Sequence, residues 1–139
     1  MRIALSLPFV LAALLVAPSA QAARTAPLQN YEDVLVATPD GKPTTVEHVR
    51  KSILAGASRT RWAASAKSED ANTVRLTYSR GNHTAVVDVH YSAKSYSIRY
   101  ADSTNLNYAE EGGKQLIHPV YKKQVNSLRL AIDVALRSN

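Results

Sequence analysis

An alternation of apolar and polar residues that survives two turns restricts the fold more than any other feature of this chain. Val74, Leu76 and Tyr78 alternate with Thr73, Arg75, Thr77 and Ser79, and the run ends at Gly81-Asn82, a two-residue hairpin signal. With Gly81 and Asn82 at the tip, Arg80 faces His83, and Tyr78, Leu76 and Val74 face Ala85, Val87 and Val89. All six apolar side chains then share one side, whereas a slip of one residue divides them between two. A second tip at Ala93-Lys94 sets Tyr91 against Tyr96, Val89 against Ile98 and Val87 against Tyr100, on that same side. Residues 62–67 pair with the first strand, Trp62 opposite Tyr78 and Ala64 opposite Leu76, through a loop centred on Glu69-Asp70-Ala71. The expectation is a four-stranded antiparallel meander with one apolar face.

A sheet that is apolar on one side needs a cover. Thr38-Pro39-Asp40-Gly41-Lys42-Pro43 is turn chemistry. Behind it Thr44 reads as an N-cap with Glu47 three residues on, and Val46, Val49, Ile53 and Ala57 recur at helical spacing, which predicts a helix over 45–58. A second helix over 119–137 carries Tyr121, Val125, Leu128, Ile132 and Ala135 along one stripe. Together these predict an α+β two-layer sandwich, the meander bearing an N-terminal and a C-terminal helix on one face. Tyr78, Tyr91, Tyr96 and Tyr100 belong to the inward side, their hydroxyls reaching the rim. Residues 23–43 read as a flexible lead-in with a possible short strand at Val34-Leu35-Val36, and 44–139 as a single domain. The period is lost over 101–114, which reads as a loop ending at Gly112-Gly113.

The front of the chain has the pattern of an export signal. Arg2 precedes an apolar run over 3–16 broken by Ser6 and Pro8, and Ala20-Gln21-Ala22 is a small-x-small cleavage site. A signal peptide over 1–22, cut between Ala22 and Ala23, is expected to send the protein to the periplasm or outside the cell. The run is short of the roughly 20 apolar residues a spanning helix needs, and there is no cysteine to carry a lipid, so no transmembrane segment is expected in the mature form. The 117 residues after Ala22 hold 16 of the 17 basic residues and all 11 acidic ones, a net +5. They suffice for one core, which without cysteine relies on packing alone. The basic residues are scattered and no run exceeds Lys122-Lys123. Such an excess suits solubility or an anionic envelope component, lipid headgroup or acidic polysaccharide, and in an exported protein it does not imply nucleic acid.

On the uncovered face the registers line up Lys67, Arg75, Thr77, Asp88, His90, Ser97 and Arg99, with Asp88 between Arg75 and Arg99. This row is either a cross-strand charge ladder or a recognition face for a carboxylate, phosphate or acidic partner, since arginine offers a forked donor array. His90 lies two residues from Asp88 on the same side, the spacing of an acid-base pair. Two ligands fall short of the three or four that zinc takes, so no metal is expected. No G-x-S-x-G elbow or P-loop is present, and no catalytic residue and no cofactor is assigned. A second candidate surface is the loop over 102–108, where Asp102, Asn105 and Tyr108 mix carboxylate, amide and aromatic groups that can read a peptide or sugar edge. Its plain alternative is local turn bonding, with Leu106 and Tyr108 plugging the core rim.

The stretches Gly81-Asn82-His83-Thr84-Ala85-Val86-Val87-Asp88-Val89-His90-Tyr91, Ser95-Tyr96-Ser97-Ile98-Arg99-Tyr100 and Asp102-Ser103-Thr104-Asn105-Leu106-Asn107-Tyr108, with Ile117-His118 and Tyr121, resemble a set of small exported proteins of Gram-negative bacteria. The resemblance covers most of 44–136. Some of those proteins look like lipoproteins, and this chain departs from them in having no lipobox cysteine. The resemblance implies a periplasmic setting and supplies no activity. The expected function is a non-enzymatic binding or interaction module of the envelope, its partner an envelope protein or anionic component. The alternatives are a small envelope hydrolase using Asp88 and His90, or an inhibitor or stabiliser of a larger envelope enzyme.

Overall fold

The computed structural model describes residues 24–65 and 70–138. The expected signal peptide over 1–22, together with Lys67 and Glu69, lies outside the described residues. In chain order the elements are β1 (Ala26–Pro27), β2 (Tyr31–Leu35), α1 (Val46–Arg59), β3 (Trp62–Ala64), β4 (Thr73–Arg80), β5 (His83–Tyr91), β6 (Ser95–Thr104), β7 (Ala109–Glu111), β8 (Lys114–Ile117) and α2 (Pro119–Arg137). The fold is α+β, with two helices and two antiparallel sheets: five strands in the order β2-β6-β5-β4-β3, and three in the order β1-β8-β7.

The meander occupies the large sheet in the register expected. Arg80 pairs with His83, Tyr78 with Ala85, Leu76 with Val87 and Val74 with Val89. Tyr91 pairs with Tyr96 and Val89 with Ile98, and Trp62 lies opposite Tyr78. Gly81 supplies the positive φ of 60° that the first tip demands. Along β5 the buried residues are Ala85, Val87, Val89 and Tyr91, so the period-two pattern is the burial pattern.

Two departures separate the large sheet from a four-stranded meander: a fifth strand and a longer β6. β2 adds to the free edge of β6, within the segment read as a flexible lead-in, and its strand is Tyr31–Leu35 instead of 34–36. Between Tyr31↔Ile98 and Val34↔Tyr96, three steps on β2 face two on β6, and Asp33 takes φ 47° in the bulge. The bulge hides the alternation that would have marked the strand. Likewise β6 runs on to Thr104: Val87 pairs with Tyr100 and Val86 with Asp102, which leaves Ala101 as an extra residue. That bulge ends the period at 101 without ending the strand. Past it, β7 and β8 form a hairpin at Gly112-Gly113, both at positive φ, and β1 joins β8 through Ala26↔Ile117. The region read as loop is therefore half strand.

The helices fall where their stripes predict. α1 is capped by Thr45, whose hydroxyl accepts from the His48 amide at 3.1 Å, one residue later than expected, so Glu47 sits in the first turn and is not the reciprocal partner of a capping box. α2 starts with Pro119 behind His118, whose Nδ1 accepts from the Val120 amide at 3.1 Å. Val49, Ile53, Leu128 and Ile132 from the helices join Leu76, Val87 and Ile98 from the sheet in one core. The Tyr96 hydroxyl donates to Asp133 at 2.6 Å and so pins α2 to β6, and burial, with the Asp133 bond, pushes that hydroxyl's pKa up.

The helices meet at Gly56. A Cβ there would lie 2.7 Å from the Ile132 amide nitrogen and 2.9 Å from its Cα, backbone atoms that yield only if the helices separate. Gly56→Ala should therefore lower stability by about 1–3 kcal/mol, read by urea or thermal unfolding. The clash outweighs the roughly 1 kcal/mol that alanine adds in helix propensity, so an unchanged or raised midpoint would contradict the close packing.

Candidate functional site

The uncovered sheet face carries one row of four charges. Arg75 pairs with Asp88 and Asp88 with Arg99 in the backbone register, and β2 extends the row to Glu32. The side chains do not share Asp88, as a three-residue row would require. Arg75 closes on Asp88 through Nε and Nη2 at 2.8 and 2.9 Å, and Arg99 closes on Glu32 through Nε and Nη2 at 2.9 and 2.8 Å. The row is thus two forked ion pairs side by side. Glu32 was not expected because the Asp33 bulge masks its strand.

His90 and Asp88 face the same way but are held separately. His90 Nδ1 shares a hydrogen bond of 2.8 Å with the Thr73 hydroxyl across the strand pair, while Asp88 has both oxygens on Arg75. Ser97, expected on the open face, is buried, and its hydroxyl accepts from the bulged Asp33 amide at 3.0 Å. Among the described residues no three His, Asp or Glu side chains converge as a metal site would require.

The loop after β6 is a different kind of surface. Ala101 is the extra residue of the bulge: without the bulge Ala101 would pair with Val86, and Asp102 would pair with Ala85 on the covered side with Tyr100. With it, Asp102 stands opposite Val86 and is exposed. Asn105 and Asn107 adopt φ 57° and 54°, the left-handed region that asparagine tolerates. The loop is clamped on both flanks: Asn105 donates to the Asn82 carbonyl at 2.8 Å, and its own carbonyl accepts from His83 Nδ1 at 2.8 Å. The Leu106 carbonyl accepts from the His118 amide at 2.7 Å while its side chain is buried in the core.

These turns enclose a cleft of about 540 Å³ lined by Tyr100, Asp102, Ser103, Asn105, Asn107 and Tyr108 among others. The clefts beside α1 are about 210 and 260 Å³. Its aromatic floor is fixed: Tyr108 stacks on Tyr100 at 4.7 Å and 11°, and Tyr100 meets the edge of the buried Tyr121 at 5.8 Å. The Tyr108 hydroxyl donates to Glu110 at 2.9 Å and accepts from Gln115 at 3.0 Å, and the Glu110 bond raises its pKa. Asp102 Oδ1 accepts from the Ser103 amide at 2.8 Å, and the Tyr100 and Ser103 hydroxyls share a bond of 2.8 Å. The plain alternative of local turn bonding is therefore right about the backbone. It leaves the Asn107 side chain with no hydrogen bond among the described residues.

The structure accordingly divides the expected site residues between two places. Arg75, Asp88, His90 and Arg99 share the sheet face, whereas Asp102, Asn105 and Tyr108 share the cleft. In comparison with known proteins, no family model matches this chain, and no curated protein and no solved structure matches it.

The Arg75 hydrogen bond, opposed by partial burial and aided by the guanidinium charge, holds the Asp88 carboxyl below its ordinary pKa. A carboxylate depressed in the folded state adds stability above the ordinary carboxylate range, about 4, and that contribution is lost as pH falls through the folded value. Asp88→Asn should cost about 1 kcal/mol in urea unfolding at neutral pH, with the difference from wild type shrinking as pH falls towards 2. An equal difference at both extremes would remove the ion pair from the account.

Proposed function

We propose that the protein is an exported, non-enzymatic binding module of the bacterial envelope, and that its ligand enters the cleft over residues 100–108. The observation that supports this reading is the difference in polar saturation between the two candidate surfaces. On the sheet face each guanidinium fork is closed on a carboxylate, so an incoming anion must first displace a bidentate pair. In the cleft, Asn107 has no internal partner among the described residues, and Asp102 and Asn105 each keep an acceptor oxygen open. A concave site with a few convergent polar groups over a fixed aromatic floor is the form that small-ligand sites take. Its clamped flanks reduce the ordering cost of binding.

The donor and acceptor mixture suits a peptide or sugar edge presented by an envelope protein or wall component. The exported setting rests on the leader pattern of residues 1–22 and on the resemblance to small exported Gram-negative proteins. The Asp88 and His90 pair lends little to a hydrolase, because a carboxylate held ionised by arginine is a poor proton donor near neutral pH.

Pull-down from envelope extract separates the two surfaces. Asp102→Ala/Asn107→Ala should lose partners that wild type captures, and Arg75→Ala/Arg99→Ala should retain them. The reverse pattern would move the site to the sheet face, and identical partner sets for all three proteins would reject both surfaces.

A further inference from the structure

The charge of this protein is distributed by layer. Helices α1 and α2 together hold seven Lys and Arg residues against Glu47 and Asp133, a net +5. That equals the whole excess of the 117 residues after Ala22: outside the helices, nine basic and nine acidic residues cancel. A summed field of this kind turns the helical layer, and not the sheet, towards a negatively charged surface.

The outer face of α2 adds a second property. Its exposed residues are Pro119 at the first turn and then Lys122, Lys123, Leu130, Val134 and Arg137, three cations and two aliphatics with no acid. Leu130 and Val134 are 50% and 52% exposed. Lys123, Leu130 and Arg137 are seven residues apart, two helical turns each, so they follow one line along the helix, with Val134 a turn beyond Leu130. Asp133, the one acid of α2, is turned to Tyr96 and Arg129. On α1, Lys51 and Arg59 line a groove of about 260 Å³ that Ala135 and Ser138 close from the α2 side.

We infer that the helical layer docks on the surface of an anionic phospholipid bilayer. Leu130 and Val134 enter the boundary between headgroups and acyl chains, while Lys123 and Arg137, long enough to extend sideways, meet lipid phosphates on either side. Cations spread over about 21 Å of helix match a charged plane and not a point anion, which would need convergent donors. A second copy is disfavoured, since it would bring like charge against like. Two aliphatics anchor weakly, so the attachment is reversible and depends on salt. This inference is independent of the cleft.

The test is sedimentation of the protein recovered after export, its N-terminus checked by mass spectrometry, with vesicles of phosphatidylcholine alone or mixed with phosphatidylglycerol. Wild type should bind the mixed vesicles, bind phosphatidylcholine weakly, and be released by high salt. Lys123→Glu/Arg137→Glu should weaken binding at least about tenfold, and Leu130→Ser/Val134→Ser should also weaken it. Lys94→Glu/Lys114→Glu, the same charge change away from the helices, should have the smaller effect. All these positions are exposed, and unfolding curves confirm that each variant remains folded. Absence of binding to mixed vesicles, or equal losses for the two charge reversals, would overturn the inference. So would salt-resistant binding to phosphatidylcholine alone, or a dimer in solution that Leu130→Ser/Val134→Ser abolishes, which would assign the face to a second copy.

Discussion

Burial of Val74, Leu76, Val87, Val89 and Ile98 on one side of β4, β5 and β6 fixes the register of those strands, and the register decides what their other side chains can do. A strand has period two, so a slip that relieved any local strain would send the whole apolar set into water. Held in this way, Arg75, Asp88 and Arg99 are forced into one row on the far side, where the only economical arrangement is pairing of opposite charges. The ladder is a consequence of the core.

The two bulges adjust this rigid frame at its ends. At Asp33 an extra residue lets β2 follow β6 while delivering Glu32 to Arg99 and an amide to Ser97. At Ala101 an extra residue turns Asp102 outward and starts the run of asparagine turns that encloses the cleft. Tyr108, Tyr100 and Tyr121 then carry contact from the cleft floor into the core, so the loop is a continuation of the packed interior.

The same bulges mark the limit of what could be read from the residues. Hairpin pairs from Trp62↔Tyr78 to Tyr91↔Tyr96 were legible because alternation and turn chemistry agree there. Both helices were legible from their stripes, with the cap displaced by one residue because Thr44 and Thr45 are chemically equivalent as caps. β2, the end of β6 and the β7–β8 hairpin were not, since a bulge erases the period and strands of three or four residues are too short to show one. The outward row was legible in position but not in partnership, because choosing between two neighbours requires knowing that Glu32 is present on β2. The cleft residues Asp102, Asn105 and Tyr108 were picked out by chemistry, whereas the open side chain of Asn107 depends on a loop geometry that composition does not encode.

Sheet, loop and helices thus contribute different surfaces: a charge-saturated face, a polar cleft, and a basic helical layer. The Ala101 bulge is the point at which the covered core and the cleft are joined. Inter-strand backbone NOEs in solution test it most directly. They should connect Val87 with Tyr100 and Val86 with Asp102, with Ala101 skipped. A continuous ladder pairing Val86 with Ala101 and Ala85 with Asp102 would turn Asp102 towards the core and contradict the cleft and the account built on it.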